Sequence, residues 1–414
     1  MKPFSPFKLA LLSSVGTALD YYDFVVYMVL SGLLASVFFK QADGAAGLLI
    51  TLGIFASGYL ARPLGGVIFG HFSDKYGRKK SFMVSLFLMA CATAAIGCLP
   101  GNAWGAILLL CCRLAQGVAQ GAEMPGAITF VAEHAPLRRR NFWVSLAIAG
   151  AGVGASLASG LMSLLTHFLS PAHLLAFGWR LPFWLGALLA FFAWGVRKKT
   201  QESLDFLALT HQEVFPLKRV LIHYKFKVIA GVGMISLPAC MILLALFLPT
   251  YFSLYFAYPL TATLPILSLS FLLSSGCMVL GGALSDRFTP QKILSLGCIL
   301  SLLLLYPLFL SLQGGGLWRV WVFLGVFEAL IGLMAGAYPA LLAALFPTSV
   351  RTTGLAVSYN IAYLLAGFFP LLNFWLLKQT EHAVISPLLL MACAGISLVS
   401  LRLIHKRIKL AFAF

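Results

Sequence analysis

A chain of 414 residues with 61% hydrophobic and 10% charged side chains has more apolar surface than a water-soluble fold of that length can cover, which excludes a soluble globular protein. A lipid bilayer solvates apolar faces directly, so spans of about 20 mostly apolar residues are the expected unit. The formal net charge of +17 lies in short clusters between apolar stretches, the pattern of orientation signals and anionic-lipid contacts, not of a nucleic-acid surface.

In chain order, twelve spans are predicted at 9–36, 46–70, 81–99, 104–132, 141–166, 180–197, 226–256, 260–283, 293–311, 318–344, 352–377 and 384–405. Lys2 and Lys8 before the first span resemble the start of a signal peptide. Asp20 and Asp23 interrupt that span and no small-residue cleavage site follows, so it reads as an uncleaved first helix. No long β-type alternation occurs, and lipid-facing backbone has to pair within its own helix. The fold class is therefore all-α membrane protein. Seven of the eight cysteines, Cys91, Cys111, Cys112, Cys240, Cys277, Cys298 and Cys393, fall in apolar stretches, and Cys98 lies near a helix end. No metal-ligand spacing appears, and neither a disulfide framework, a metal nor a cofactor is expected.

Basic residues set the orientation. Lys75, Arg78, Lys79, Lys80, Arg138 to Arg140, Arg197 to Lys199, Lys218, Arg219, Lys225, Lys227, Lys406, Arg407 and Lys409 fall on one side. Only Lys40, Arg180, Arg319 and Lys378 fall on the other. Both termini are thus predicted in the cytoplasm, in a bacterial inner membrane. The longest polar segment, 197–225, divides a first six-helix unit (1–196) from a second (226–414). It is expected to be partly helical on the membrane surface, or simply a tether.

A repeat supports the division. Gly70-His71-Phe72-Ser73-Asp74-Lys75-Tyr76-Gly77-Arg78-Lys79-Lys80 follows the second span, and Gly282-Ala283-Leu284-Ser285-Asp286-Arg287-Phe288-Thr289-Pro290-Gln291-Lys292 follows the eighth. Their aspartates are 212 positions apart, close to half of 414. That spacing implies one six-helix unit used twice in the same orientation, with a substrate site between the halves.

With these motifs the sequence resembles the major facilitator superfamily, whose loop signature residues 70–80 match closely. The resemblance implies twelve helices in two six-helix bundles related by pseudo-two-fold symmetry. In the second copy Phe288-Thr289-Pro290 replaces the usual Gly-Arg region, which predicts a weaker gate contact there. A narrower resemblance covers most of the chain. Asp20-Tyr21-Tyr22-Asp23-Phe24, Ala61-Arg62-Pro63-Leu64-Gly65-Gly66, Arg113-Leu114-Ala115-Gln116-Gly117, Gly121-Ala122-Glu123, Gly178-Trp179-Arg180-Leu181-Pro182-Phe183, Phe346-Pro347-Thr348-Ser349-Val350-Arg351-Thr352-Thr353-Gly354 and Ser358-Tyr359-Asn360 are similar to the metabolite:proton symporter family. Its members move citrate, 2-oxoglutarate, shikimate, or proline and betaine together with protons. Ala344 stands where that family usually has an acidic residue, Asp20 where Glu is commoner, and Ala122 and Ala366 replace glycines.

Charges inside a bilayer are costly and mark function. Asp20 and Asp23 fall about 18–22 Å along the first helix at ~1.5 Å per residue, near the midplane, and their i,i+3 spacing puts them on one face. Arg113 and Glu123 are intramembrane in the fourth helix, Arg113 outward of centre and Glu123 inward. This predicts an Asp23–Arg113 pair, with Asp20 nearer Glu123. A carboxylate that gains and loses a guanidinium as the halves rock can carry a proton, so Asp20, Asp23 and Glu123 are the proton-coupling candidates. The pair can equally be a permanent structural one. Glu328, near the middle of the tenth span, is outside the family pattern. It is a second proton site, a site for a cationic group, or a buried protonated side chain bonded to a neighbouring helix. Arg113, Tyr27, Gln116, Gln120, Tyr359, Asn360 and Tyr363 are the substrate-binding candidates, the aromatic ones also being ordinary packing residues. The resemblance implies gating roles for Asp74 and Arg78, and for Asp286 and Arg287 in the second copy. Arg62, placed near the cytoplasmic end of the second helix, is read as part of the same gate.

In the fifth span Gly150, Gly152, Gly154 and Gly160 allow close helix approach, and the Gly-Pro signature of drug:proton antiporters is missing. The expected function is proton-coupled uptake of a small polar metabolite, an organic acid or zwitterion, by alternating access. Its partners are that metabolite, protons and the lipid bilayer. Export of a metabolite, siderophore or drug stays open, as does a non-transporting membrane sensor. An enzyme is not expected, because no nucleophile–base constellation or phosphate-cradling loop is present.

Overall fold

The computed structural model describes residues 6–76, 78–121, 123–198, 216–347, 350–380 and 385–411, and among these the chain is helical without a strand. Among the described residues ten helical stretches are long and apolar enough to cross a bilayer, and Met83–Gly97 is a shorter apolar helix. The twelve spans of the fold are built as follows. The first is Pro6–Val29 continued by Ser31–Phe38, the second Gly44–Tyr76, the third Arg78–Gly97, and the fourth Ala103–Gln120 continued by Glu123–His134. The fifth is Arg140–Phe168 and the sixth Leu181–Lys198. Pro216–His223 and Lys225–Met234 lead into Ser236–Phe256, which completes the seventh. Leu260–Phe288, Pro290–Ser311 and Leu317–Ala344 are the eighth to tenth. The eleventh is Arg351–Gly367 with Phe369–Thr380, and the twelfth is Ile385–Ala411. The segment 199–215, most of the expected linker, lies outside the described residues.

Two differences from the sequence expectation matter. Where a loop is expected around 70–80, residues up to Tyr76 and from Arg78 onward are helical. The equivalent turn after the eighth span is Thr289 alone, held at φ 84°. Glycine adopts that backbone without penalty and a β-branched residue does not; Gly77 stands at the corresponding place in the first repeat.

Several spans are interrupted, and proline explains three of the breaks. Pro125, Pro238 and Pro370 have no N–H, so the carbonyl four residues earlier loses its helical donor. At the fourth span that carbonyl is Gly121 O, and it accepts from Asn360 Nδ2 of the eleventh span at 2.7 Å. At the seventh span the Ser397 hydroxyl enters the helical ladder. It accepts from Leu237 N at 3.2 Å and donates to Gly233 O at 3.1 Å.

The fifth span ties the two halves together. Its Gly150 and Gly154 lie against the carbonyls of Ser14 and Ala18 in the first span, while Gly152 faces Ser275 and Phe271 of the eighth. Thr17 donates to Ala147 O at 3.0 Å, and Ser275 donates to Ala149 O at 2.9 Å. Ser268 donates to Ser156 O at 2.9 Å.

A Cβ at Gly154 overlaps the Ala18 backbone, which side-chain rotation cannot relieve. Gly154→Val is therefore expected to lose about 1–3 kcal/mol or more of stability, seen as a lower unfolding temperature in detergent. Gly276→Ala, with nothing near its Cβ, is expected to match the parent protein.

Candidate functional site

The first, third and fourth spans bring a polar cluster into the interior of the N-terminal half. Asp23 and Arg113 are each 2% exposed. Arg113 Nη1 donates to Asp23 Oδ2 at 2.9 Å and to Gln116 Oε1 at 2.7 Å. Gln116 Nε2 donates to Asp23 Oδ1 at 2.9 Å, and the Thr93 hydroxyl donates to the same oxygen at 3.0 Å. Gln116 Nε2 also lies 2.8 Å from Thr93 Oγ1. Both oxygens of the carboxylate are thus engaged by an ion pair and two neutral donors. Arg113 and Gln116 reach it together because their i,i+3 spacing puts them on one helix face.

Aromatic rings wall this cluster. The Arg113 guanidinium carbon lies 3.8 Å from the Tyr27 ring centre, and Tyr27 donates to Thr51 O at 3.0 Å, which fixes the ring. Phe24 stacks on Tyr59 with centroids 5.2 Å apart. Arg62 lies well inside the second span and not at its end as the sequence reading has it. Its guanidinium carbon is 4.5 Å from the Tyr59 ring centre, 4.7 Å from that of Phe24 and 5.9 Å from that of Tyr363. Its Nη2 donates to Gln120 Oε1 at 3.3 Å. The C-terminal half contributes Tyr359 and Tyr363, stacked at 4.3 Å, and Tyr338, whose hydroxyl is 3.1 Å from that of Tyr363. Arg62 beside Tyr363 is where the two halves meet at this level.

The remaining candidates are spread more widely. Asp20 and Glu123 are buried. Asn360 serves the Gly121 carbonyl across the halves. Glu328 is also buried, but its described contact is with the eighth span, where Ser274 donates to its backbone carbonyl at 3.0 Å. The side chains of Asp74 and Arg78 lie outside the described residues. Asp286 crosses between the halves. Its Oδ1 accepts from Asn141 N at 3.0 Å and from Asn141 Nδ2 at 2.8 Å, and its Oδ2 accepts from Phe142 N at 2.9 Å. It thereby caps the N-terminus of the fifth span, where the helix dipole favours an anion. Beside the departure at Phe288-Thr289-Pro290, Asp286 thus makes three hydrogen bonds to the fifth span. Arg287 lies over the Phe288 ring at 5.3 Å. At the same end of the halves Arg351 approaches Glu133 at 3.8 Å.

Thr93, Phe24, Tyr59 and Tyr338 were not singled out from the sequence. Phe24 lies in the Asp20–Phe24 motif and carried a signal. Thr93 sits in an apolar stretch of small residues, and only the packing of the third span against the first gives it a carboxylate to bind. Among the described residues no group of histidine, cysteine and acidic side chains could hold a metal ion.

The sequence that builds this twelve-span helical fold matches a known family along most of its length. The family model for the Major Facilitator Superfamily covers residues 13–371, and the chain belongs to that superfamily of membrane transporters. It is 34% identical over 419 residues to an inner membrane metabolite transport protein of Escherichia coli (strain K12), covering 96% of this chain and 94% of that one. It is 29% identical over 405 residues to the proline/betaine transporter of the same organism, covering 94% and 81%. Among solved structures, a proton:xylose symporter bound to 6-bromo-6-deoxy-D-glucose superposes with a TM-score of 0.78 over 97% of this chain and 95% of that chain, at 17% identity. That likeness is one of fold.

Thr93 tests the cluster directly. Hydrogen bonds to a charged group contribute about 1.5–3 kcal/mol. Thr93→Val is expected to lower stability by that order in thermal unfolding of the purified protein, and Thr93→Ser to restore most of the loss.

Proposed function

We propose that this protein is a proton-coupled symporter that takes up a small polar metabolite, an organic acid or zwitterion, by alternating access. The observation that carries the reading is the buried Asp23–Arg113 pair with its Gln116 and Thr93 supports. A carboxylate and a guanidinium in a low-dielectric interior hold each other charged. When one is withdrawn, the carboxylate left behind takes up a proton. Rocking of the halves that loosens the pair therefore exchanges a proton, and Asp20, Glu123 and Glu328 are further carboxyl groups available to that cycle. Relatives described as moving metabolites, proline and betaine support the substrate range.

In this reading residues 1–196 and 226–414 are the rocking units and 197–225 tethers them. Both termini face the cytoplasm of a bacterial inner membrane. Asp286 on the fifth span and Arg351 with Glu133 hold the cytoplasmic ends together, with Asp74, Arg78 and Arg287 acting at the same face. Arg62, inside the aromatic cluster, links that closure to the centre. Tyr27, Gln116, Gln120, Tyr359, Asn360 and Tyr363 line the path of the metabolite.

Proteoliposomes test the coupling. An inward proton gradient is expected to drive accumulation, and a protonophore to abolish it; uptake driven by sodium alone refutes the proton assignment. Asp23→Asn and Arg113→Gln are each expected to reduce uphill uptake at least tenfold, because each strands its buried partner. The double variant is expected to fold and to exchange substrate in counterflow without concentrating it. Full uphill transport by the double variant removes Asp23 from the mechanism.

Asp286→Asn tests the gate. It removes the anion at the fifth helix and part of its hydrogen bonding, far from the Arg113 cluster. Transport is expected to slow several-fold while equilibrium binding of substrate changes much less. Complete loss of binding in a folded variant argues against a gating role.

A further inference from the structure

Two of the eight cysteines meet across helices. The Cys393 thiol of the twelfth span donates to Cys240 Sγ of the seventh at 3.8 Å. Both thiols are free, Cys240 buried and Cys393 partly exposed. The helices that carry them run antiparallel, and one turn faces the next in sequence. Gly233 leaves room for the Ser400 side chain. One turn on, Ser236 Oγ lies 3.1 Å from Ser397 Oγ and donates to Cys393 O at 3.2 Å. One turn further the sulfurs meet. Bonds on the adjacent turn therefore hold the two thiols in register. An S–S bond is about 2 Å long, so closing the gap takes about 1 Å of movement from each sulfur and none of the backbone.

Depth decides which reagents reach the pair. Cys240 stands midway along residues 225–256, and Cys393 stands near the middle of Ile385–Ile404. Both sulfurs thus lie in the central part of the bilayer. Thiol–disulfide exchange with water-soluble thiols proceeds through a charged thiolate, and an unpaired charge does not enter hydrocarbon. A quinone does enter. It is neutral and lipid-soluble in both redox states, and it accepts two hydrogens, the number a dithiol gives up. Quinones also stand behind dithiol oxidation in the bacterial periplasm.

We propose that Cys240 and Cys393 are a dithiol oxidised from within the bilayer by a lipid-soluble quinone, and that the resulting disulfide clamps the seventh span to the twelfth beside its proline break. In this step both S–H bonds break and one S–S bond forms. The two protons and two electrons pass to the two quinone oxygens, and the carrier leaves as the quinol. The disulfide then persists, because hydrophilic thiolates do not reach it. Its effect follows from its place. Pro238 interrupts the seventh span, and the break is held by Ser397 hydroxyl bonds to Leu237 N and Gly233 O, which exchange freely. Ser236–Phe256, the segment beyond the break, also packs against the first span of the other half. A covalent tie one turn from the break fixes this segment to the twelfth span. The proposal is independent of what the protein carries.

The test uses purified full-length protein in lipid nanodiscs, without oxygen, treated with decylubiquinone, with decylubiquinol, or with diamide as a general thiol oxidant. The protein is then denatured, its free thiols are alkylated, and it is digested without reduction for mass spectrometry, the other six cysteines serving as internal controls. The quinone is expected to join the peptides carrying Cys240 and Cys393, with loss of two hydrogens, at least tenfold faster than it oxidises any other cysteine. The quinol is expected to leave both thiols open to alkylation. In the joined protein, amide hydrogen exchange over residues 231–240 is expected to slow at least tenfold, and dithiothreitol added after transfer to detergent to restore it. Cys240→Ser and Cys393→Ala are each expected to abolish the link and the slowing; the comparison of the parent protein before and after oxidation stands even where a variant fails to fold. Linking by diamide and not by the quinone overturns the proposal. So does linking by neither, equal oxidation of the other cysteines, or a link that leaves hydrogen exchange unchanged.

Discussion

A charge in the middle of a bilayer persists only if the protein supplies what water would have supplied, and this constraint shapes the N-terminal half. Arg113 brings a guanidinium into the interior of the fold, so its position fixes the need for Asp23. Asp23 in turn has more acceptor capacity than one guanidinium fills, and Gln116 and Thr93 meet the remainder. Four side chains from three helices thus form one network. The helices that carry them cannot shift past one another without breaking charge-assisted bonds in a low dielectric.

The backbone contributes at the interface between the halves. Proline at 125 frees the Gly121 carbonyl from its own helix, and Asn360 of the opposite half satisfies it. An interruption that destabilises a helix in isolation becomes a cross-half contact point. The glycines of the fifth span serve the opposite need. By removing side chains they let carbonyls of the first span, and hydroxyls of the eighth, approach the helix directly. Small-residue packing of this kind holds helices together where lipid offers no hydrophobic drive for association. Arg351 with Glu133 and Asp286 with the fifth helix then close one end of the two halves.

Aromatic residues connect these layers. Arg62 sits between Phe24 and Tyr59 and reaches toward Tyr363, so a ring cluster spans both halves at the depth of the charged groups. Cation–π contact lets a guanidinium be buried while some of its N–H groups remain available.

The sequence by itself determined the class of protein. Sparse charge, twelve apolar spans and an aspartate motif repeated 212 positions apart define a duplicated helical membrane bundle, because hydropathy and repeat spacing are properties of the chain alone. It also located the costly residues, since an acid or arginine inside an apolar span stands out against its neighbours, and Asp23 and Arg113 were legible on that ground. What the tertiary structure decided is which groups meet. Thr93 is inconspicuous among small residues until the third span packs on the first. Arg62 reads as a helix-end residue until the length of the second span sets it in the interior. Glu328 has the same sequence signal as Asp23, but it is buried on the tenth span, where Ser274 of the eighth donates to its backbone carbonyl and no guanidinium pair is described. Spacing along one helix fixes a face and a depth. The rotation and neighbours of that helix come from packing between spans distant in sequence, and these decide which groups a buried guanidinium meets.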